Sequence, residues 1–437
     1  MMSMIYIVNS IKKNWRNGRF STTGLIVLML TGVVLYLPVL QNQFLLQWND
    51  QWAVMNEYTE GGFGARNLWR ILTEFFHGQY GPLNEYLYLI LYGFFGYDPF
   101  PFHLTSMVLH VINIGLAYVM LRKILFMSGR VEAENVNVIS FLTVLIFAVH
   151  TCNVESVAWM SASKVLIYAL FYFGATCTFL LFIEKKKIIC YAFTVLLFVL
   201  SFLSKDQAVT FPLWMLLIYW LLNYKLTDKT VWRAVIPFFV LSAVFGTVTM
   251  YSQLDSGQGV LSDMPAYPLW QRMVFGCYTL MEYTVKSLFP YKLSHLYPFP
   301  AVIGDPLPQW LYLYPVLFII VITSLWKYLS HWVLKFGLLF FLIHIFLVLN
   351  VIQLSRHSIV GDRYLYVALL GTGFILSSFG VYLYQKLKTP FKIAVCCLFA
   401  CYILYLGTYS NMRIRSWYDS DTLKKEMRDL LKQRGDV

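Results

Sequence analysis

The stretch Gln47-Trp48-Asn49-Asp50-Gln51-Trp52 sets one carboxylate between two tryptophans just after the first long apolar run. An ionisable side chain at the edge of a membrane span is a functional candidate by default, since charge there has to be sheltered or used. The flanking tryptophans would anchor it in an interfacial belt and leave water within reach. That makes Asp50 the first candidate for chemistry, although such a belt is also what any span shows where it leaves the bilayer. Glu155, five residues after His150 at the end of another apolar run, is a second. It reads either as a working acid or as a first-turn carboxylate favoured by the helix dipole. His103 and His110 are seven apart and share a helical face, with His110 deep enough to be a hydrogen-bonded core residue.

The elements that must position these residues are membrane helices. Of 437 residues, 59% are hydrophobic and 13% charged, against about half and a quarter in soluble domains. The composition therefore reads as an all-α polytopic membrane protein. The formal charge of +12 does not imply nucleic acid, because the cations come in small clusters between apolar runs, the pattern of cytoplasmic loops. Seven cysteines, an odd number mostly inside apolar runs, show no CxxC and no Cys/His ligand spacing, so no disulfide or zinc site is expected. With a basic, polar first 20 residues and a long run behind them, no cleavable signal peptide is expected.

With roughly 20 apolar residues per crossing, about eleven spans are expected, at 22–40, 102–125, 136–151, 165–183, 188–204, 208–223, 234–251, 309–328, 333–352, 363–385 and 390–409. If the N-terminus (Lys12, Lys13, Arg16, Arg19) is cytoplasmic, the basic clusters fall on inner loops throughout, and the C-terminus lies outside. Segments 82–95 and 269–289 are apolar but interrupted by Glu85, and by Arg272, Glu282 and Lys286. Two further crossings would make thirteen; juxtamembrane or re-entrant helices are the preferred reading. The transmembrane domain is expected to cover 1–412, with a first outer loop at 41–101 and a long one at 252–309. A basic amphipathic helix at 413–437, with Leu423, Met427, Leu430 and Leu431 on one face, is expected to lie on the bilayer. On this topology both signs of charge gather on the outer side.

Several short motifs recur in a fixed order: Trp48-Asn49-Asp50, Tyr80-Gly81-Pro82-Leu83, Phe102-His103, His110-x-x-Asn113, His150-x4-Glu155, Lys164, Lys205-Asp206, Asp362-Arg363-Tyr364 and Arg415-Ser-Trp417-x-Asp419. In that order they resemble the multispan glycosyltransferases of the GT-C fold. The closest likeness is to the transmembrane and tetratricopeptide-repeat O-mannosyltransferases and their bacterial relatives. The chain departs from that pattern in having Asn49 where the family has a first acid, Lys164 for an arginine, Lys205-Asp206 for Lys-Glu, and no repeats.

What the resemblance implies is transfer of a sugar, mannose or another hexose, from a polyprenyl-phosphate donor to an acceptor hydroxyl, with inversion. The acceptor would be a protein Ser or Thr, or a glycan. Asp50 would be the base, its pKa raised by partial desolvation near Trp48 and Trp52. Glu155 would position the acceptor or a helper divalent ion, magnesium or manganese; no other cofactor is implied. Arg363, then Lys205, Lys164 and Arg356, would meet the leaving phosphate, against the plainer reading of cations snorkelling to headgroups. Asp362 would orient Arg363. Trp48, Tyr80, His103, His150, Asp206 and Tyr364 would support the substrates.

Two other readings stand: transfer to a lipid or polysaccharide, since fold does not fix the acceptor, and a transporter or flippase for a lipid-linked saccharide. Transporters place charge near the midplane, whereas here it crowds one side. The setting expected is a bacterial inner membrane with the site facing the periplasm, or an endoplasmic-reticulum membrane with the site facing the lumen.

Overall fold

The computed structural model describes residues 22–255, 266–352 and 358–434. Arg356 and the basic N-terminal residues Lys12, Lys13, Arg16 and Arg19 lie outside the described residues. No strand occurs among those described, apart from one isolated bridge between Phe76 and Gln79.

Helix α1 (Thr22–Gln41) leads into four short helices of the first loop: α2 (Asp50–Ala53), α3 (Glu57–Glu60), α4 (Ala65–Thr73) and α5 (Pro82–Phe95). Then follow α6 (Pro99–Ser128), α7 (Ala133–Val149), the short α8 (Val154–Ala158), α9 (Lys164–Lys185), α10 (Ile188–Phe202), α11 (Phe211–Leu221) and α12 (Lys229–Asp255). The last six are α13 (Leu269–Leu288), α14 (Leu313–Leu325), α15 (Trp332–Ile345), α16 (Leu369–Lys386), α17 (Thr389–Ser416) and α18 (Ser420–Arg434).

Each of the expected spans overlaps a helix, although 363–385 begins before α16 and 333–352 runs past the helical stretch ending at Val348. Among the described residues six single helices are long and apolar enough to cross a bilayer, and the bent pair Ala133–Val149 and Thr151–Ala158, turned by 52°, makes a seventh. Ile188–Phe202 and Trp332–Val348 are apolar but shorter. Segments 82–95 and 269–289 are helical and not among the candidates. The segments 309–330 and 389–416 are apolar, yet only 6% of the most apolar window of each is buried inside the protein. Such surface is stable only when lipid covers it, so the chain is an integral membrane protein.

Inside, the helices share one apolar core with Trp214, Tyr172, Phe173 and Phe147 fully buried. Two of its histidines are held by hydrogen bonds, as burial away from water favours. His344 bridges the Tyr172 hydroxyl at 3.0 Å and the Phe340 carbonyl at 2.7 Å, and His110 Nδ1 meets the Tyr366 hydroxyl at 2.7 Å. Where α15 crosses α16, a Cβ on Gly371 would stand 2.5 Å from the Gly337 carbonyl oxygen. Only glycines permit that approach.

The polar contacts sort to two ends. At one, Lys123 pairs with Glu184 at 2.7 Å, Arg122 donates to Asn137 at 2.7 Å, Arg130 donates to the Leu221 carbonyl at 2.9 Å, and Gln385 donates to Asn135 at 3.1 Å. The other end holds the candidate residues. α18 does not lie apart on lipid: Leu423 is fully buried, and the Ser420 hydroxyl accepts from the Gln47 backbone at 3.2 Å. Glu426 reaches Arg413 at 3.5 Å, and Lys424 bonds Gln47. The boundary expected at 412/413 falls inside α17, where Arg413 points inward and is 3% exposed.

Candidate functional site

The site is built on the broken turn 150–163 between α7 and α9. His150 ends α7 and accepts from the Cys152 backbone at 3.2 Å, while Asn153 donates back to the Phe147 carbonyl at 2.6 Å. These bonds use backbone groups that the helix end leaves over and turn the chain, so His150 is a cap. The turn then presents Glu155, Trp159, Ser161 and Lys164 in succession.

Glu155 is 4% exposed and grips Arg363 twice: Oε2 accepts from the Arg363 backbone at 2.8 Å, and Oε1 pairs with the guanidinium. Glu155 therefore orients Arg363, the role expected of Asp362. Asp362 turns the other way, because its neighbours there are polar: Oδ1 accepts from the Tyr297 hydroxyl at 2.9 Å and Oδ2 lies 4.0 Å from Arg413. Burial pushes the Asp362 carboxyl up to about 6, against the pull of Lys286 and Arg413. His295, kept uncharged by burial beside Arg413, stands 3.2 Å from that guanidinium.

The Arg363 guanidinium lies 5.2 Å from the Trp159 ring and 4.8 Å from the Tyr364 ring. Lys205, 8% exposed, sits 5.3 Å from the same Tyr364 ring, so one aromatic serves two cations. Lys164 opens α9 and donates to Gln79; the charges of Lys205, Arg363 and Asp206 all bear on it. Gln79 is delivered by a tight turn in which Phe76 and Gln79 exchange backbone bonds of 3.0 Å, with His77 and Gly78 both at positive φ. Three cations from three chain segments thus converge, with Glu155 paired to one and Asp206 alongside.

Asp50 is at this end too, but closed. Its Oδ1 accepts from the Ser161 backbone at 3.0 Å and from the Ser161 hydroxyl, and its Oδ2 accepts from the Leu45 backbone at 2.8 Å. It has no exposed surface, so the expected access to water is not there. Burial raises its carboxyl from 3.8 to about 6 despite those bonds. The preceding Asn49 has φ +83, a left-handed conformation that asparagine tolerates better than most residues. Trp48 contributes its carbonyl, which accepts from the Trp159 indole at 3.1 Å. Trp159 thus touches both parts, its indole on the Trp48 carbonyl and its ring under Arg363.

Of the remaining expected residues, Tyr80 donates to the Leu72 carbonyl at 2.8 Å within the first loop. His103 is fully buried in α6. Among the described residues no three His, Cys, Asp or Glu side chains gather as a metal site. Glu155 is committed to Arg363 and Asp50 to Leu45 and Ser161, a poor donor set for a divalent ion. All seven cysteines are free.

Sequence reasoning missed Gln79, Trp159, Ser161 and Glu85. Glu85 registered only as a charge in an apolar run. It lies in the first turn of α5, which docks on the 203–206 turn through Leu83 donating to the Leu203 carbonyl at 3.2 Å. The Tyr88 hydroxyl fixes the same helix to the site turn, donating to the Met160 carbonyl at 2.6 Å.

No protein-family model matches the chain, and no curated protein matches it by sequence. Among solved structures the chain is similar to ArnT from Cupriavidus metallidurans, in a crystal structure bound to undecaprenyl phosphate. The two share 9% identity at a TM-score of 0.43, over 93% of this chain and 78% of that one.

Proposed function

We propose that the protein is a membrane glycosyltransferase of the GT-C type that moves a hexose from a polyprenyl-phosphate carrier to an acceptor hydroxyl. The observation that carries this reading is the meeting of Arg363, Lys205 and Lys164 at one end of an apolar helix bundle. Cations held there, partly out of water, suit an anionic headgroup whose tail stays in lipid. The ordered motifs of the sequence support the same reading. Arg363, held by Glu155 and backed by Trp159 and Tyr364, is the main phosphate ligand, with Lys205 and Lys164 beside it. Mannose as the sugar and Ser or Thr as the acceptor rest on the sequence resemblance. The site faces the extracytoplasmic side, as the positive-inside rule argues from the basic loops at the far end.

The test is purified protein given a panel of polyprenyl-phosphate sugars and a Ser/Thr peptide pool, with products read by mass spectrometry. Transfer is expected, with release of polyprenyl phosphate, and Arg363→Ala should lower turnover on the order of 10²- to 10³-fold, as removing a donor to a developing anion does. A protein that carries the lipid-linked sugar across vesicles and forms no product is a transporter, and the reading falls.

A further inference from the structure

Two carboxylates flank the cationic turn, and they differ in how they are held. Both Asp50 oxygens are taken by donors from Leu45 and Ser161, and no part of the residue is open. Glu85 is partly open. Its Oε2 accepts from Asn56 Nδ2 at 3.0 Å, while Oε1 has no hydrogen-bond donor among the described residues. Asn56 is itself fixed, since its Oδ1 caps α3 by accepting from Tyr58 and Thr59, each at 3.0 Å. Helix α5 is held to the 203–206 turn by Leu83 and to the 160–163 turn by Tyr88. The Glu85 carboxylate is thus oriented by one oxygen and left free at the other, beside the turns that carry Lys164 and Lys205.

We propose that Glu85, and not Asp50, is the group that takes the acceptor's proton, while Asp50 is a positioning residue that ties the first loop to the turn of Ser161 and Lys164. This rests on the transferase reading above. In the step, the acceptor O–H bond breaks and its proton passes to a Glu85 oxygen. The freed electron pair forms the bond to the anomeric carbon. The bond from that carbon to the carrier's phosphate oxygen breaks, its electron pair leaving on the phosphate toward Arg363, Lys205 and Lys164. No oxidant or other co-reactant is required.

The electrostatic surroundings agree. Burial lifts the Glu85 carboxyl from 4.5 to about 7, against the pull of Asn56 and Lys164, and a base works best when its pKa lies near the working pH. The other charged groups around α5 are occupied: Glu57 and Glu74 by Arg70, and Glu60 by the Tyr97 hydroxyl. Lys205 and Asp206, in the turn under α5, act on the same Lys164. Arg66 belongs to α4 with Arg70, and its charge bears on Glu74. His77 packs its ring on Trp52 at 4.7 Å.

The experiment uses full-length protein in detergent with polyprenyl-phosphate mannose as the probe. Donor binding is measured separately from release of polyprenyl phosphate. Glu85→Gln should bind the donor within about twofold of wild type, lose on the order of 10²-fold or more in rate, and lose the fall in rate that wild type shows below about pH 7. Glu85→Asp should recover part of the rate. In wild-type protein, carbodiimide with an amine should label Glu85 and not Asp50, and the donor should protect it. Glu85→Gln turning over at the wild-type rate with the wild-type acid limb overturns the proposal, as does labelling at Asp50 with Glu85 untouched. Wild type that binds no donor sinks the transferase reading itself, a separate result.

Discussion

At the scale of single residues, what matters is which carboxylate meets which donor. Sequence position alone assigns Asp50, Glu155 and Asp362 to one surface; in the structure Glu155 bonds Arg363, the neighbour of Asp362, whereas Asp50 is closed against Leu45 and Ser161. It could not assign partners, because these depend on side-chain direction at turns with no regular period. Asp362 was expected to steer Arg363, yet the chain's 3-10 turn sends it to Tyr297, and Glu155 takes the guanidinium instead. Asp50 carries a measurable consequence. Its carboxyl rises from 3.8 to about 6 on folding, so the folded chain holds that proton more tightly than the unfolded one. The resulting stability is present in full below about 3.8 and is lost as pH rises through about 6, a difference on the order of 3 kcal/mol. Melting temperatures of wild type and Asp50→Asn, compared across that range in one detergent, should show the wild-type advantage shrinking as pH rises. A gap that widens with pH would contradict the burial of a costly charge.

At the scale of elements, the existence of the helices was legible and their lengths and breaks were not. Apolar composition marks a span directly, which is why each expected segment overlaps a helix. The break after Val149 depends on His150 accepting from the Cys152 backbone and Asn153 donating back to Phe147, and nothing in the hydropathy of the run announces it. The docking of α5 was hidden for the same reason, since Leu83 and Tyr88 bond to residues more than 70 positions away and Glu85 is held by Asn56 of the first loop. The α15–α16 crossing shows how little slack the scaffold has. α16 follows the Arg363 turn, and a side chain on Gly371 would meet the Gly337 carbonyl and the Phe341 backbone nitrogen, at 2.5 Å and 2.9 Å. Gly371→Leu should therefore push the helices apart and lower the melting temperature by several degrees, an overpacking cost of about 1–3 kcal/mol. It should weaken donor binding as well, through the displaced Arg363. An unchanged melting temperature would mean that the crossing is looser than its glycines imply.

At the scale of the whole molecule, the two ends differ in chemistry. At one stand Arg122, Lys123 and Arg130, each with a partner of its own; at the other the acids Asp50, Glu155 and Asp362 gather with Arg363, Arg413 and His295. This division was readable from alternating loops, since the charge pattern needs only the order of spans. The tail is legible only as a pattern, because an amphipathic helix reads the same whether its apolar face meets lipid or protein, and here Leu423 meets protein. Single cysteines in a Cys-free background test the arrangement: Glu57→Cys and Asp421→Cys should react with an impermeant reagent from one side, and Lys388→Cys from the other. Labelling of all three from the same side would overturn the two-ended layout.

The clasp between α18 and the loop before Asp50 also bears on how the molecule comes into being. Gln43 and Gln47 are translated near the beginning of the chain, but Tyr418 and Ser420, which bond their backbones, come more than 370 residues later. For most of synthesis that loop has nothing to close against. A ribosome stalled in the middle of the message would leave the early helices threaded and that loop still ajar, so the clasp would be completed only once α18 arrives.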